Sequence, residues 1–245
     1  GNGPRMSLLR SVTTVGGWTL ISRLTGFARD ILIAGFLGAG PAADAFFVAF
    51  KLPNFFRRLF AEGAFNSAFL PLFARRLTEA GAEGARDFAR LALGALLLAL
   101  IPLTLLAEAF MPALMLAFAP GFADEPEKFA LAVTLTRITF PYLLCMSLLA
   151  LMSGVLNTLD RFAAAAAAPI LLNLSLIFAL LALAPLFPSA AHALAFGVAL
   201  AGVLQVLWLA RECRGAGMTL WPSWPRLTPE LRRLGRLMLP GTLGA

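Results

Sequence analysis

Four runs of 17 or 18 residues carry no charged side chain: Leu91–Ala107, Phe140–Leu156, Ile170–Leu186 and Ala193–Ala210. A helix crossing a membrane needs about 20 mostly apolar residues, whereas a barrel strand needs about 10 in strict alternation. These runs do not alternate, and they are rich in Leu and Ala rather than Val, Thr and Tyr. They read as spanning helices. Hydrocarbon offers no partner to backbone N–H and C=O groups, so a helix, which satisfies its own, is the form that remains. Composition agrees: 60% of the residues are hydrophobic and 13% charged, with a mean hydropathy of +0.83. A soluble domain has roughly 45–50% apolar and about 25% charged residues. The expected fold class is all-α, a polytopic transmembrane helical bundle.

The periodicity predicts helices over 11–38, 42–74, 88–118, 127–158, 162–186 and 190–212, with a seventh starting near Leu231. Residues 6–228 then form one transmembrane lobe of six spans, and 229–245 the start of helix 7. Gly1–Arg5 precede Met6 and read as a cloning remnant or upstream extension. Met238–Ala245 stops within an apolar stretch, so the chain is expected to be cut inside helix 7. Pro53, Pro102, Pro141 and Pro169 fall inside spans, where they bend helices and leave carbonyls for neighbours to satisfy. Thr78–Asp87 reads as a short loop or interfacial helix, and Trp221 and Trp224 fit an interfacial belt. The Ala163–Ala168 run suits close helix packing.

Charge sets the orientation. Thirteen of the 20 basic residues fall on one side: Arg5 and Arg10, the Arg75–Arg90 group, Arg161, and six between Arg211 and Arg236. Basic residues favour the cytoplasmic side, so the N-terminus is expected in the cytoplasm of a bacterial inner membrane. The net charge of +7 thereby has an explanation without nucleic acid, and no such partner is expected. Cys145, Cys213 and the single His192 are too few for a disulfide framework or a metal site. Neither a metal nor a cofactor is expected.

The first two spans contain charges that lipid should exclude. Helix 1 carries Arg23, Arg29 and Asp30; helix 2 carries Asp44, Lys51, Arg57, Arg58 and Glu62. Arg23 and Asp30 share a helical face. Asp44, Lys51, Arg58, Glu62 and Asn66 share another, while Arg57 points away from it, although Pro53 interrupts the phase. One reading is a set of static ion pairs. The other follows from the excess of five bases over three acids: a hydrated cationic cavity that accepts an anion. Arginine forks match phosphate, and a ligand at membrane depth must be an amphiphile such as a phospholipid or polyprenyl phosphate. Arg137 is expected to snorkel, Glu108 to sit at the interface and Tyr142 to pack. Asn157 and Asn173 are either interhelical hydrogen-bonding groups or cavity lining.

Ser22-Arg23-Leu24-Thr25-Gly26-Phe27-Ala28-Arg29-Asp30, Ala43-Asp44-Ala45-Phe46-Phe47 and Lys51-Leu52-Pro53-Asn54 together resemble the MurJ (MviN) family of lipid II flippases. Arg57-Arg58-Leu59-Phe60-Ala61-Glu62-Gly63-Ala64-Phe65, Ala119-Pro120-Gly121-Phe122, Thr139-Phe140-Pro141-Tyr142, Leu156-Asn157-Thr158, Arg161-Phe162 and Ala168-Pro169-Ile170-Leu171-Leu172-Asn173 extend the resemblance from Met6 to the chain end. It implies the multidrug/oligosaccharidyl-lipid/polysaccharide flippase superfamily, with two helical lobes around a cavity, fourteen spans and alternating access. The implied activity is movement of lipid II, an undecaprenyl-diphosphate-linked disaccharide-pentapeptide, from the inner to the outer leaflet for peptidoglycan synthesis. Arg23, Arg29 and Arg57 would then bind the diphosphate. Asp44 and Glu62 would be gating acids, with Asp30, Asn54 and Arg58 in support. The implied partners are lipid II, membrane lipids and an absent C-terminal lobe, without which this fragment should not flip lipid.

Two other readings are weighed. A superfamily relative would move another lipid-linked oligosaccharide or drugs, and an exporter of cationic drugs would want carboxylates, against the positive surplus. A polyprenyl-phosphate transferase would need a metal or base site; Asp30 and Asp44 are candidates for Mg²⁺, but the short loops carry no carboxylate cluster suited to metal-assisted transfer. The topology is open to a direct check in a Cys145→Ala, Cys213→Ala background. A cysteine at Ser223 should react with an impermeant maleimide from the cytoplasmic side alone, and one at Ser189 from the outer side alone.

Overall fold

A computed structural model describes the backbone of residues 3–58 and 65–243, and the side chains of 13–58 and 65–238. Among these residues the chain is mostly helical and contains no strand. Nine helices follow in order: α1 (Gly3–Leu37), α2 (Pro41–Arg57), α3 (Asn66–Ala109), α4 (Met111–Phe118), α5 (Pro126–Thr139), α6 (Tyr142–Thr158), α7 (Phe162–Phe178), α8 (Ala190–Gly215) and α9 (Pro229–Leu243). Asn66–Ala109, Pro126–Thr158, Phe162–Leu186 and Ala190–Gly215 are long and apolar enough to cross a membrane. α1 has the length, at 35 residues, but carries Arg23, Arg29 and Asp30; α2 has 17 residues.

Glycine and proline set most boundaries. Gly38 follows α1 at φ 63°, and its N–H donates to the Ala34 carbonyl at 3.0 Å. That left-handed cap is cheap only without a Cβ. Pro41 then opens α2, where its missing N–H costs nothing. Pro141 separates α5 from α6, bending the helix expected over 127–158. The last turns of the 162–186 helix loosen over Ala179–Leu183 and tighten over Ala184–Leu186. Ser189 caps α8, its Oγ accepting from the His192 N–H.

The described parts of the helix expected over 42–74 belong to α2, which reaches Arg57, and to α3, which starts at Asn66. Two boundaries of the expected helix 3 are corrected. The 78–87 segment is helical within α3, apart from a break at Gly81, where φ is 67° and ψ −168°. Its charges support that helix. Arg75 pairs with Glu79 at 2.7 Å and Arg86 with Glu83 at 3.5 Å, the spacings at which helical side chains meet. The expected end of helix 3 at 118 falls in α4, a separate helix whose first turn holds Pro112.

α8 is the central helix, packed against α7, α6, α5 and α2. Ala191, Ala193, Leu194, Ala195, Val198 and Ala201 on it are fully buried. Outside this core, α1 lies along α7, α3 along α6 and α9 along α3. Large apolar side chains also point outward, among them Leu98 and Leu105 on α3, Leu181 beyond α7 and Leu207 on α8. Lipid gives helices no hydrophobic reason to associate, so close packing must hold them. Small residues provide it on α8, where a Cβ on Gly202 would lie 2.8 Å from Tyr142 Cδ2 and 2.9 Å from Cys145 Cβ.

One proline is answered across helices. Pro53 leaves the Ala49 carbonyl without its usual helical donor, and Thr139 Oγ1 on α5 donates to it at 2.6 Å. The α6–α8 contact gives the sharpest test of packing. Gly202→Ala should lower stability by about 1–3 kcal/mol through overpacking, read as a drop in thermal midpoint in detergent. Gly17→Ala, with nothing within 4 Å of the new Cβ, should not lower it.

Candidate functional site

A cavity of about 400 Å³ opens between α2, α3, α6, α7 and α8. Its volume lies in the range of small-ligand sites, roughly 300–1,000 Å³. Arg57 and Asn54 enter it from the end of α2, Asn66 from the start of α3, and Ser153 and Asn157 from α6. α8 contributes Gln205, whose Nε2 donates to the Ala168 carbonyl at 2.8 Å and whose Oε1 accepts from Tyr142 Oη at 3.3 Å. Asn54 Nδ2 is engaged by the Phe50 carbonyl at 2.8 Å. Asn66 Oδ1 is buried without a hydrogen-bond partner. A buried acceptor left unmatched costs roughly 1–3 kcal/mol, so the cavity is set up to receive a donor. One guanidinium and several amides and hydroxyls make this a place for an anion bearing hydroxyls.

A second cationic group stands close by, where α1 meets α7. Arg29 Nη1 donates to Asn173 Oδ1 at 2.8 Å, and its Nε and Nη2 donate to Asp30 Oδ1 at 2.9 and 2.7 Å. Asn173 turns its amide to α1 as well: Nδ2 donates to the Ser22 carbonyl at 2.9 Å and to Thr25 Oγ1 at 3.1 Å. Gly26 permits this approach, since a Cβ there would sit 3.4 Å from Asn173 Nδ2. Asn173 follows Leu172, which lines the cavity, and Tyr142 is within electrostatic reach of both Arg57 and Arg29. Asn173 is therefore interhelical hydrogen bonding and an arginine holder in one, while Asn157 lines the cavity.

The structure separates the remaining expected residues. Arg23, Lys51 and Arg58 are exposed and have no ion-pair partner among the described residues. Asp44 lies in the first turn of α2, where Lys128 Nζ reaches its Oδ2 at 2.9 Å. The same ammonium meets Glu125 Oε1 at 3.3 Å and stands 4.5 Å from the Phe122 ring centroid. The two carboxylates of the transferase reading, Asp30 and Asp44, are thus each engaged by a different cation. Glu62 lies outside the described residues. Of the polar face expected on helix 2, Asn66 enters the cavity, and so does Arg57, which was expected to point away from that face. Gln205 was not singled out by sequence reasoning. Gln205 had a signal, as a lone amide in the apolar run Ala193–Ala210.

The family model described as lipid II flippase MurJ matches residues 33–245. A probable lipid II flippase MurJ of Rhizobium tropici is 48% identical over 244 residues, covering 97% of this chain and 45% of the relative. The lipid II flippase MurJ of Burkholderia cenocepacia is 44% identical over 241 residues, covering 97% and 47%. Among solved structures, lipid II flippase MurJ in an inward closed conformation aligns with a TM-score of 0.75 at 24% identity, over 94% of this chain and 46% of that one. A multidrug resistance MATE family transporter aligns at 0.66 and 19%, over 91% and 50%. These two structures share the fold. The chain spans about half the length of the curated relatives it matches.

The Asn173 amide separates positioning from bulk packing. Asn173→Ala should cost about 1–3 kcal/mol by removing three interhelical hydrogen bonds at once. Asn173→Asp keeps the acceptor for Arg29 and should cost less, as read from thermal unfolding in detergent. Equal losses in the two variants would assign the stability to the donors alone.

Proposed function

The chain belongs to the lipid II flippase MurJ family, and from that premise we propose that the protein moves a lipid-linked peptidoglycan precursor across the bacterial cytoplasmic membrane. Movement runs from inner to outer leaflet by alternating access, with no covalent chemistry, and the cavity takes the diphosphate headgroup. The observation that supports this best is Arg57 among amides in a cavity between the helices, with Arg29 held by Asn173, the residue after the cavity-lining Leu172. A diphosphate matches two guanidinium forks, and sugar hydroxyls match unsatisfied acceptors such as Asn66 Oδ1. The partners are the lipid-linked precursor, membrane lipids, and the part of the protein that corresponds to the other half of its relatives.

Differential binding drives the cycle. Arg29 now has Asp30 and Asn173 as partners. An arriving diphosphate competes with Asp30 for the guanidinium, and a ligand shifts a conformational equilibrium only by its difference in affinity between states. Arg23 and Arg58, exposed at present, add positive charge for the headgroup. Asp44, tied to Lys128, links the start of α2 to the start of α5 at the outer end, so opening there breaks or stretches that pair. Glu62 has a conformational role in the same scheme.

The test uses the protein expressed from its own gene in cells depleted of their native flippase. Arg29→Ala and Arg57→Ala, at normal membrane levels, should lose rescue of growth and reduce precursor translocation about ten-fold or more, as expected for charged hydrogen bonds of roughly 1.5–3 kcal/mol. Arg29→Lys should also fail, because one ammonium does not reproduce a fork that spans Asp30 and Asn173. Full rescue by every variant would remove the arginines from the mechanism.

A further inference from the structure

We infer that the protein carries a second lipid site, for an anionic glycerophospholipid of the surrounding membrane, on the face where α3, α6 and α8 meet the segment after α8. The groove there encloses about 760 Å³. It lies apart from the cavity assigned to the headgroup: α8 presents Gln205 to one and Val206, Leu207 and Ala210 to the other. Its length is apolar, walled by Leu93 and Leu97 of α3 and by Leu148 and Met152 of α6. One end alone is charged, by Arg211 and Arg214 of α8. These are three residues apart on a helix and so share a face. Neither has an ion-pair or hydrogen-bond partner for its side chain among the described residues.

The mouth is built. Residues 216–228 cross it as an extended strap rather than a helix. Met218 anchors one end, buried, with its N–H donating to the Cys213 carbonyl at 2.9 Å. Further along, the Ser223 N–H donates to the Arg90 carbonyl at 3.2 Å, and Arg90 Nε donates to the Trp221 carbonyl at 3.2 Å. Gly94 lets the Ser223 carbonyl rest directly on α3. The strap thus holds Trp221, 70% exposed, at the groove and Trp224, 79% exposed, beside it. Tryptophans mark the headgroup level of a membrane. An apolar channel that ends in two unpaired guanidinium groups at that level fits one amphiphile: acyl chain along α3 and α6, phosphate between Arg211 and Arg214. Basic pockets between spanning helices on the cytoplasmic side recognise anionic headgroups in this way. The assignment to the cytoplasmic leaflet rests on the orientation read from the basic loops; the site itself does not.

Trp221 makes the site readable. The protein expressed from its own gene is placed in phosphatidylcholine nanodiscs containing a rising fraction of phosphatidylglycerol with brominated acyl chains, which quench tryptophan on contact. A saturable loss of emission is expected with brominated phosphatidylglycerol and not with brominated phosphatidylcholine. Trp221→Phe should remove the saturable component, while native mass spectrometry still shows retained phosphatidylglycerol. Arg211→Gln or Arg214→Gln should weaken binding about five-fold each, and the pair about thirty-fold. Should the double variant fail to fold, native mass spectrometry of the unmutated protein decides: retention of phosphatidylglycerol over phosphatidylcholine by ten-fold or more supports the site, and equal retention overturns it. Equal quenching by the two brominated lipids, or an unchanged double variant, also overturns it. So does displacement of phosphatidylglycerol by equimolar undecaprenyl diphosphate, which would make the groove a path for the transported lipid. None of these outcomes depends on the translocation assay, so this site and the proposed transport stand or fall separately.

Discussion

Hydrocarbon neither donates nor accepts a hydrogen bond, and the placement of polar groups in this chain answers to that constraint. Hydroxyls inside the helices turn back on their own backbone: Thr136 donates to the Ala132 carbonyl at 2.7 Å and Ser147 to Leu143 at 2.8 Å. Amides reach across helices instead, as Gln205 does to α7 and Asn173 to α1. Where a proline removes a donor, a neighbour supplies one, as Thr139 does for Ala49. Charges are the expensive case. Most fall on α1, α2, the 75–90 part of α3 and the helix ends, and Arg29 is compensated by a carboxylate and an amide, Asp30 and Asn173.

The same constraint divides the work among the helices. α8 has no charged residue before Arg211 and is buried along most of its length. It gives the bundle a stiff centre through alanine and glycine contacts, in which a single added methyl group meets a ring or a backbone. α1 is the opposite. It rests mainly on α7, and Asn173 joins the two helices by three hydrogen bonds. A stiff centre and a lightly held charged helix are a sensible pairing for a protein whose proposed work needs one cavity wall to change partners.

Much of the fold was legible in the sequence, because charge-free runs of this length admit few alternatives. The start of α7 at Phe162 and of α8 at Ala190 fall where the periodicity puts them. The misreadings have local causes. Charged residues around Thr78–Asp87 left a loop and an interfacial helix both open; at i,i+3 and i,i+4 spacing they pair along a helix, and one glycine provides the break. The face of helix 2 is phased across Pro53, and Arg57, expected to point away from it, enters the same cavity as Asn66. Arg29, Asn54 and Asn66 are marked by their place in the chain; Gln205 is not, because a lone amide has no spacing to betray it. The link of Lys128 to Asp44 depends on a contact between helices that no local pattern encodes.

The attachment of α1 has a mechanical consequence. With 35 residues the helix is a rod roughly 52 Å long. Its fastening through Asn173 spans Ser22 to Arg29, so about two thirds of the rod lies on one side of that point and one third on the other. A tilt of about 10° around that point would carry the far end roughly 6 Å and the near end roughly 3 Å in the opposite sense. Exchanging a few hydrogen bonds at one asparagine would then be geared into a displacement at both surfaces of the membrane, opposite in direction at the two ends.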